Sequence, residues 1–223
     1  MKAMILAAGY GRRLRPLTDH TPKALLPVRG KPLIQYHLER LASAGITEIV
    51  INHAWLGEQL ESVLGNGARF GVSITWSREE LPLETGGGIS RALPFLGEET
   101  FVLVNGDVWT DYPFAALARH NLEGNVAHLV LVPNPNYHPD GDFQLHKGGA
   151  VGLREVPGKA LTYSGIALID PQMFTLFSRD CAKFPLIDVL VPAIVDSKVS
   201  GELYRGEWSD VGTVDRLNYL NVI

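Results

Sequence analysis

Short, wholly apolar runs alternating with helical repeats limit most narrowly what this chain can fold into. Ala3 to Ala7 is apolar at every position, the pattern of a strand covered on both faces in a parallel sheet. From Leu33 to Ala44 apolar residues recur at a helical period, with Gly45 as a stop. Glu48 to Asn52 then reads as a second buried strand. Leu56, Leu60, Val63 and Leu64 mark a second helix closed by Gly65, and Val72 to Trp76 a third strand. Strand, helix, strand, helix, strand in this order predicts parallel strands joined by right-handed crossovers.

The second half is more mixed. After Gly86-Gly87-Gly88, read as a turn, a short helix runs to about Leu93, and Phe101 to Val104 forms a buried strand ending at Asn105-Gly106-Asp107. A helix is expected from Pro113 to about Leu122, with Asp111 as its cap. A strand follows at Val126 to Val132, then a loop rich in Pro, Asn, Asp and Gly from Pro133 to Gly141. Further strands are expected near Phe143, Val151 and Ile166, and helices near Pro171 to Ser178 and Asp188 to Asp196. A hairpin is expected near Gly201 to Glu207, and a last helix capped by Thr213. The predicted fold class is α/β, a doubly wound, mainly parallel sheet with an inserted mixed β region, in one unit over residues 1–223.

Several function classes are disfavoured at this point. No apolar run approaches the roughly 20 residues that span a bilayer. The N-terminal apolar stretch meets Arg12, Arg13 and Arg15 too soon for a secretory leader, so a cytoplasmic location is expected. Cys181 is the only cysteine, which rules out an internal disulfide and points to a small apolar side chain in the core. A net charge of -4 gives no support to a nucleic-acid partner. Yet residues 1–31 carry a balance of +6 and the remainder -10, so an anionic ligand near the N-terminus is expected.

The residues after the first strand sharpen this. Glycines at Gly9 and Gly11, beyond a strand's carboxyl end, let backbone N–H groups approach phosphate oxygens. Leu14 occupies the place of a dinucleotide-binding third glycine, and Pro16 forbids a helix starting directly after Gly11. A Walker A run is missing as well. What remains is a loop with clustered arginines and with Lys23 twelve residues beyond Gly11. Arginine grips phosphate through paired N–H bonds, and lysine acts as a point charge.

Gly9-x-Gly11-x-Arg13-Leu14-x-Pro16-x-Thr18-x-x-x-Pro22-Lys23 resembles the signature of the sugar-1-phosphate nucleotidyltransferases, also called NDP-sugar pyrophosphorylases. The resemblance covers essentially the whole chain. Asn105-Gly106-Asp107, Glu155, Ser164-Gly165 and Trp208-x-Asp210-x-Gly212-Thr213 fall in that family's order. It implies a Rossmann-like nucleotidyltransferase fold whose nucleotide-binding part spans about 1–110 and whose sugar-binding part spans about 111–223. It implies UTP or another nucleoside triphosphate and a sugar 1-phosphate as substrates, and Mg2+ as cofactor, held by Asp107 and Asp210. Arg13 is expected on the β and γ phosphates, and Lys23 on the α-phosphate and the incoming sugar phosphate. Ala7, Ala8, Gly9, Gly11, Arg12, Gly87, Gly88 and Asn105 complete the expected nucleotide contacts, the glycines admitting a flat base close to the backbone. Asn105, Asp140, Gly141, Glu155 and Ser164 are expected around the sugar phosphate.

Glu80-x-Pro82-Leu83-x-Thr85 is nearer the mannose-1-phosphate guanylyltransferases than the thymidylyl and uridylyl pattern, which carries a glutamine here, so the base stays open among uridine, thymidine and guanosine. Glucose 1-phosphate and mannose 1-phosphate are alternative acceptors. A non-catalytic nucleotide-sugar-binding regulator and a cytidylyltransferase for a non-sugar phosphate are the other classes considered. The presence of Lys23 and both aspartates favours an enzyme over a regulator. Little chain follows Thr213, so no second acetyltransfer activity is expected and a monomer is.

Overall fold

The computed structural model describes residues 1–155, 159–175 and 182–222. Strand β1 (Lys2–Leu6) opens the chain, and a small hairpin of β2 (Pro27–Val28) and β3 (Lys31–Pro32) leads into α1 (Leu33–Ser43). Then come β4 (Glu48–His53), α2 (Gly57–Leu64), β5 (Ser73–Arg78), α3 (Glu84–Leu96) and β6 (Phe101–Asn105). The middle holds β7 (Val108–Thr110), α4 (Phe114–Leu117), β8 (Ala127–Val132), β9 (Phe143–Leu145) and β10 (Val151–Leu153). The chain continues with β11 (Thr162–Ile169), α5 (Gln172–Thr175), α6 (Ile187–Val195), β12 (Val199–Leu203), β13 (Trp208–Asp210) and α7 (Val214–Val222).

Seven strands form the central sheet in the order β12-β8-β11-β6-β1-β4-β5. All neighbours pair parallel except β11, which runs against both β6 and β8. Alternate side chains of β1 explain the burial on both faces. Ala3 and Ile5 join the core under α1 and α2, while Met4 joins the core under α3 and α6. The chain lays β4 and β5 on one side of β1 and returns to place β6 on the other. That reversal opens a crevice beyond the carboxyl ends of β1 and β6, where ligands bind in open α/β sheets. A third apolar cluster of Leu14, Leu26, Leu33, Trp109, Val211 and Leu217 fastens the first loop to α7.

Four local expectations are corrected. Gly86, Gly87 and Gly88 are not a turn but the buried first turns of α3. A Cβ at Gly86 would lie 2.5 Å from the Phe184 ring and one at Gly88 would lie 2.6 Å from Asn52 Nδ2, so glycine is required here by close packing. The helix after Pro113 ends at Leu117 rather than Leu122. Asp111 does not cap it, because its carboxylate accepts the Tyr204 hydroxyl. The segment read as a hairpin is β12, which pairs parallel with β8. By contrast, Thr213 does sit ahead of α7, with its hydroxyl accepting the Arg216 N–H at 3.4 Å. Cys181 and the end of the helix expected to reach Ser178 lie outside the described residues. No helix among the described residues is long and apolar enough to cross a membrane.

Candidate functional site

A cavity of about 210 Å³ lies at the crevice. Leu6, Ala7, Ala8, Gly9 and Gly11 line one wall, Asn105 to Asp107 a second, and Pro82, Glu84 and Thr85 a third, with Lys23 and Asn52 between them. Three parts of the loop after β1 hold its shape. Gly11 adopts a left-handed φ of 63°, and a Cβ there would come within 2.7 Å of Thr18. The Thr18 hydroxyl donates to the Gly11 carbonyl at 2.9 Å, and the fully buried Leu14 pins the turn to the apolar cluster beneath. Gly106 is equally tight, since a Cβ there would lie 2.7 Å from the Leu6 carbonyl. Its absence lets the β6 end pass directly over β1.

Lys23 Nζ lies 2.5 Å from Asp107 Oδ2, and its side chain is 13% exposed, so the ammonium faces the cavity largely screened from solvent. Asp210 arrives from a hundred residues away by strand pairing. β13 lies antiparallel to β7 with Asp210 opposite Val108, and Val211 N–H donates to the Asp107 carbonyl at 2.7 Å. Trp208, on the same strand face as Asp210, anchors the β7–β13 pair by donating to the Ser164 carbonyl at 2.9 Å. Asp210 accepts hydrogen bonds from Arg216 and from the Tyr137 hydroxyl, and the Arg216 guanidinium stacks 4.1 Å from the Tyr137 ring centroid. Tyr137 belongs to the polar loop after β8. One carboxylate thus ties that loop to α7. Burial, followed by the bond to Asp210, pushes the Tyr137 hydroxyl above its ordinary pKa, which keeps it a donor.

A second feature fixes the third wall. Asn52, 2% exposed at the end of β4, accepts the Ala7 N–H at 2.9 Å and donates to Glu79 Oε1 at 2.7 Å. Glu79 Oε2 in turn accepts the Leu83 N–H at 2.9 Å. Burial raises the Glu79 pKa against these bonds. This chain of contacts fastens residues 79–83 to the first loop. Neither Asn52 nor Glu79 was singled out from the sequence, nor were Tyr137 and Arg216. An isolated polar residue at a strand end carries no motif, and only the topology brings these groups together.

A larger cavity of about 650 Å³ adjoins the first and shares Thr85 and Asn105 with it. It is walled by the loop after β8, by β9 and β10, and by the start of α6. Gly141 lines it with a left-handed φ of 64°, required because a Cβ would lie 2.7 Å from Asn134 Oδ1. Asn105 sits under Gly165, whose φ of 79° marks an irregularity in β11 and whose Cβ would lie 2.6 Å from Asn105 Nδ2.

The expected site residues therefore sort by position. Ala7, Ala8, Gly9, Gly11, Lys23, Asn105 and Asp107 line the first cavity, and Asn105 and Gly141 the second. The β7–β13 pairing lays the backbone around Asp210 beside that of Asp107 and Val108, while the Asp210 carboxylate bonds Arg216 and Tyr137. Arg12 and Arg13 are exposed, outside the cavity walls, with the Arg12 guanidinium 5.0 Å from the Tyr10 ring centroid. Asp140 and Glu155 are exposed, and neither is among the residues that line the second cavity. Gly87 and Gly88 are enclosed by protein atoms rather than facing the cavity, so they do not offer a flat base a backbone surface. Ser164 is 1% exposed, and its hydroxyl accepts the Ile166 N–H at 3.2 Å, a structural position in the β11 irregularity.

The sequence pattern of the nucleotidyl transferases matches residues 2–222. Over 222 residues the chain is 52% identical to the N-acetylmuramate alpha-1-phosphate uridylyltransferase of Neisseria meningitidis serogroup B, spanning 97% of this chain and 95% of that one. It is 34% identical to the protein of the same name from Caulobacter vibrioides, spanning 94% and 91%. Among solved structures, a Bacillus anthracis protein provisionally described as a glucose-1-phosphate thymidylyltransferase superposes with a TM-score of 0.89. That likeness covers 100% of this chain and 94% of the other at 24% identity, and it speaks for the fold.

Proposed function

This chain belongs to the nucleotidyl transferase family and is a sugar-1-phosphate nucleotidyltransferase, and we propose that it transfers a uridylyl group from UTP to N-acetylmuramate 1-phosphate. The products are a UDP-sugar and pyrophosphate, and the setting is recycling of cell-wall sugars. The observation that carries this reading is the Lys23–Asp107 pair lining the cavity built by the first loop, with the strand that bears Asp210 paired beside Val108. The choice of sugar and base draws on the two muramate relatives. In this reading residues 1–110 hold the nucleotide and residues 111–223 the sugar.

Both reactants are anions and the nucleophile is an already ionised phosphate oxygen, so the protein contributes positioning and charge compensation more than proton transfer. Lys23 lies between the two reacting phosphates, bridging the α-phosphate and the sugar phosphate. The amides from Ala8 to Gly11 cradle the departing pyrophosphate, and Arg12 and Arg13, exposed on the same loop, supply positive charge for its outer oxygens. Asp107 and Asp210 would hold magnesium through carboxylate oxygens, the donors it prefers, once Asp107 exchanges its bond to Lys23 and Asp210 its bonds to Arg216 and Tyr137. A magnesium ion held by these residues would neutralise charge that builds on the leaving group.

The test is pyrophosphate release with UTP, dTTP, GTP and CTP, each against N-acetylmuramate, N-acetylglucosamine, glucose and mannose 1-phosphates, with and without magnesium. Magnesium-dependent turnover that prefers UTP with the muramate substrate is the expected result. A preference for another pair replaces the substrate reading and leaves the reaction. Turnover with no pair would return the chain to a binding role.

A further inference from the structure

Accepting the muramate reading above, its sugar differs from other N-acetylhexosamines by a lactyl ether ending in a carboxylate, and we infer that Arg154 receives that carboxylate. Three observations lead there. Arg154, following directly on β10, is the one permanently cationic residue among the described walls of the 650 Å³ cavity, which adjoins the phosphate cavity at Asn105. Its five donors are barely used. Nη1 donates to the Gly141 carbonyl at a long 3.3 Å and stands 4.0 Å from Asp140 Oδ2. That leaves the guanidinium edge available for a two-point grip on a carboxylate.

The acid within the cavity is already engaged. Asp142 bonds His138 at 2.9 Å and accepts the Tyr163 N–H at 2.8 Å, so it does not compete for Arg154. The surrounding wall is largely apolar, with Leu153 and Ile187 each more than a third exposed at the opening and Leu190 behind. Acetyl and lactyl methyl groups would cover that surface. The Tyr163 hydroxyl is enclosed beside them without a hydrogen-bond partner among the described residues, and burial raises its pKa, so it remains a donor. Gly141 sets the geometry, since its left-handed backbone turns the carbonyl that holds Arg154 in place.

The experiment compares N-acetylmuramate 1-phosphate with N-acetylglucosamine 1-phosphate, which lacks only the lactyl group, in wild type, Arg154→Ala and Arg154→Lys. Arg154 is 45% exposed, so solvent screens part of its charge and a moderate effect is expected. In Arg154→Ala the ratio of kcat/KM values, muramate over glucosamine, should fall about tenfold, or about 1.4 kcal/mol, through KM rather than kcat. Lysine should restore part of that ratio. Equal losses with both sugars, or an unchanged ratio in a variant whose melting temperature matches wild type, overturn the inference and leave the substrate reading standing. A wild-type enzyme that turns over the glucosamine substrate but not the muramate one overturns both.

Discussion

Asn52→Ala should damage stability and nucleotide use together, because this one side chain bridges the first loop and the residues before α3. Its removal leaves the Ala7 N–H and one oxygen of the buried Glu79 carboxylate without partners. An orphaned buried polar group costs about 1–3 kcal/mol, more for a charged one. The sum is about 3 kcal/mol, or about 6–12 °C in melting temperature for a domain of this size. The KM for UTP should rise at the same time, since Ala7 and Pro82 line the same cavity. Asn52→Asp separates the two contributions. It keeps the acceptor for Ala7 but sets a second carboxylate against Glu79, whose pKa burial already raises. The folded pair then holds a proton that the unfolded chain releases, so stability falls as pH rises above the ordinary carboxylate range. Urea unfolding of both variants from pH 5 to 8, beside UTP kinetics, reads these effects. A cost below 1 kcal/mol for the alanine variant together with a flat pH response in the aspartate variant would refute the bridging argument.

Asp107→Asn and Asp210→Asn should each lower kcat by at least about 100-fold, the scale of losing one preorganised charge contact, while melting within a few degrees of wild type. Magnesium-dependent rates near normal would remove both from the metal site. Gly165→Ala should destabilise the protein and raise the KM for the sugar phosphate, because a Cβ at φ 79° runs into Asn105; pyrophosphate release and thermal melting check it. His37 is 1% exposed, and burial pushes its pKa down to about 4. Its stability contribution is therefore complete above pH 6.5 and is lost as pH falls toward 4, by about 3 kcal/mol. His37→Leu should flatten the urea-unfolding profile across that window, and an unchanged slope would show that His37 is not the group responsible.

The sequence made the first half of the fold legible because β1, β4 and β6 are short, largely apolar runs and β5 alternates, all separated by helical periods or glycine stops. Ala3 to Ile5, buried on both faces, left little room for an alternative. The glycines from Gly86 to Gly88 misled because three in a row ordinarily punctuate a turn, whereas here the neighbours Phe184 and Asn52 press against them and packing overrides helix propensity. The residues from Gly201 to Glu207 were expected to form a hairpin, but Gly201 to Leu203 belong to β12. Its true partner, β8, lies some seventy residues earlier and cannot be read from local pattern. The first loop was recognisable at the site because its spacing is fixed over a few residues. The polar bridges of Asn52, Glu79, Tyr137 and Arg216 were not, since each joins elements that only the sheet order brings together.

That sheet order has a consequence for how the protein responds to its ligands. The walls of the first cavity come from residues 6–11, 23–24, 52, 82–85 and 105–107, of which Leu6, Asn52 and Asn105 lie in neighbouring strands of one sheet. β6, which ends at Asn105, is clamped between β1 and the reversed β11, whose other edge is held by β8. The strand ends that carry these walls cannot therefore be released without breaking pairings that run through the middle of the molecule. Nucleotide should accordingly protect amides as far away as β8 from hydrogen exchange, spreading its binding energy over the sheet instead of confining it to the loops it touches.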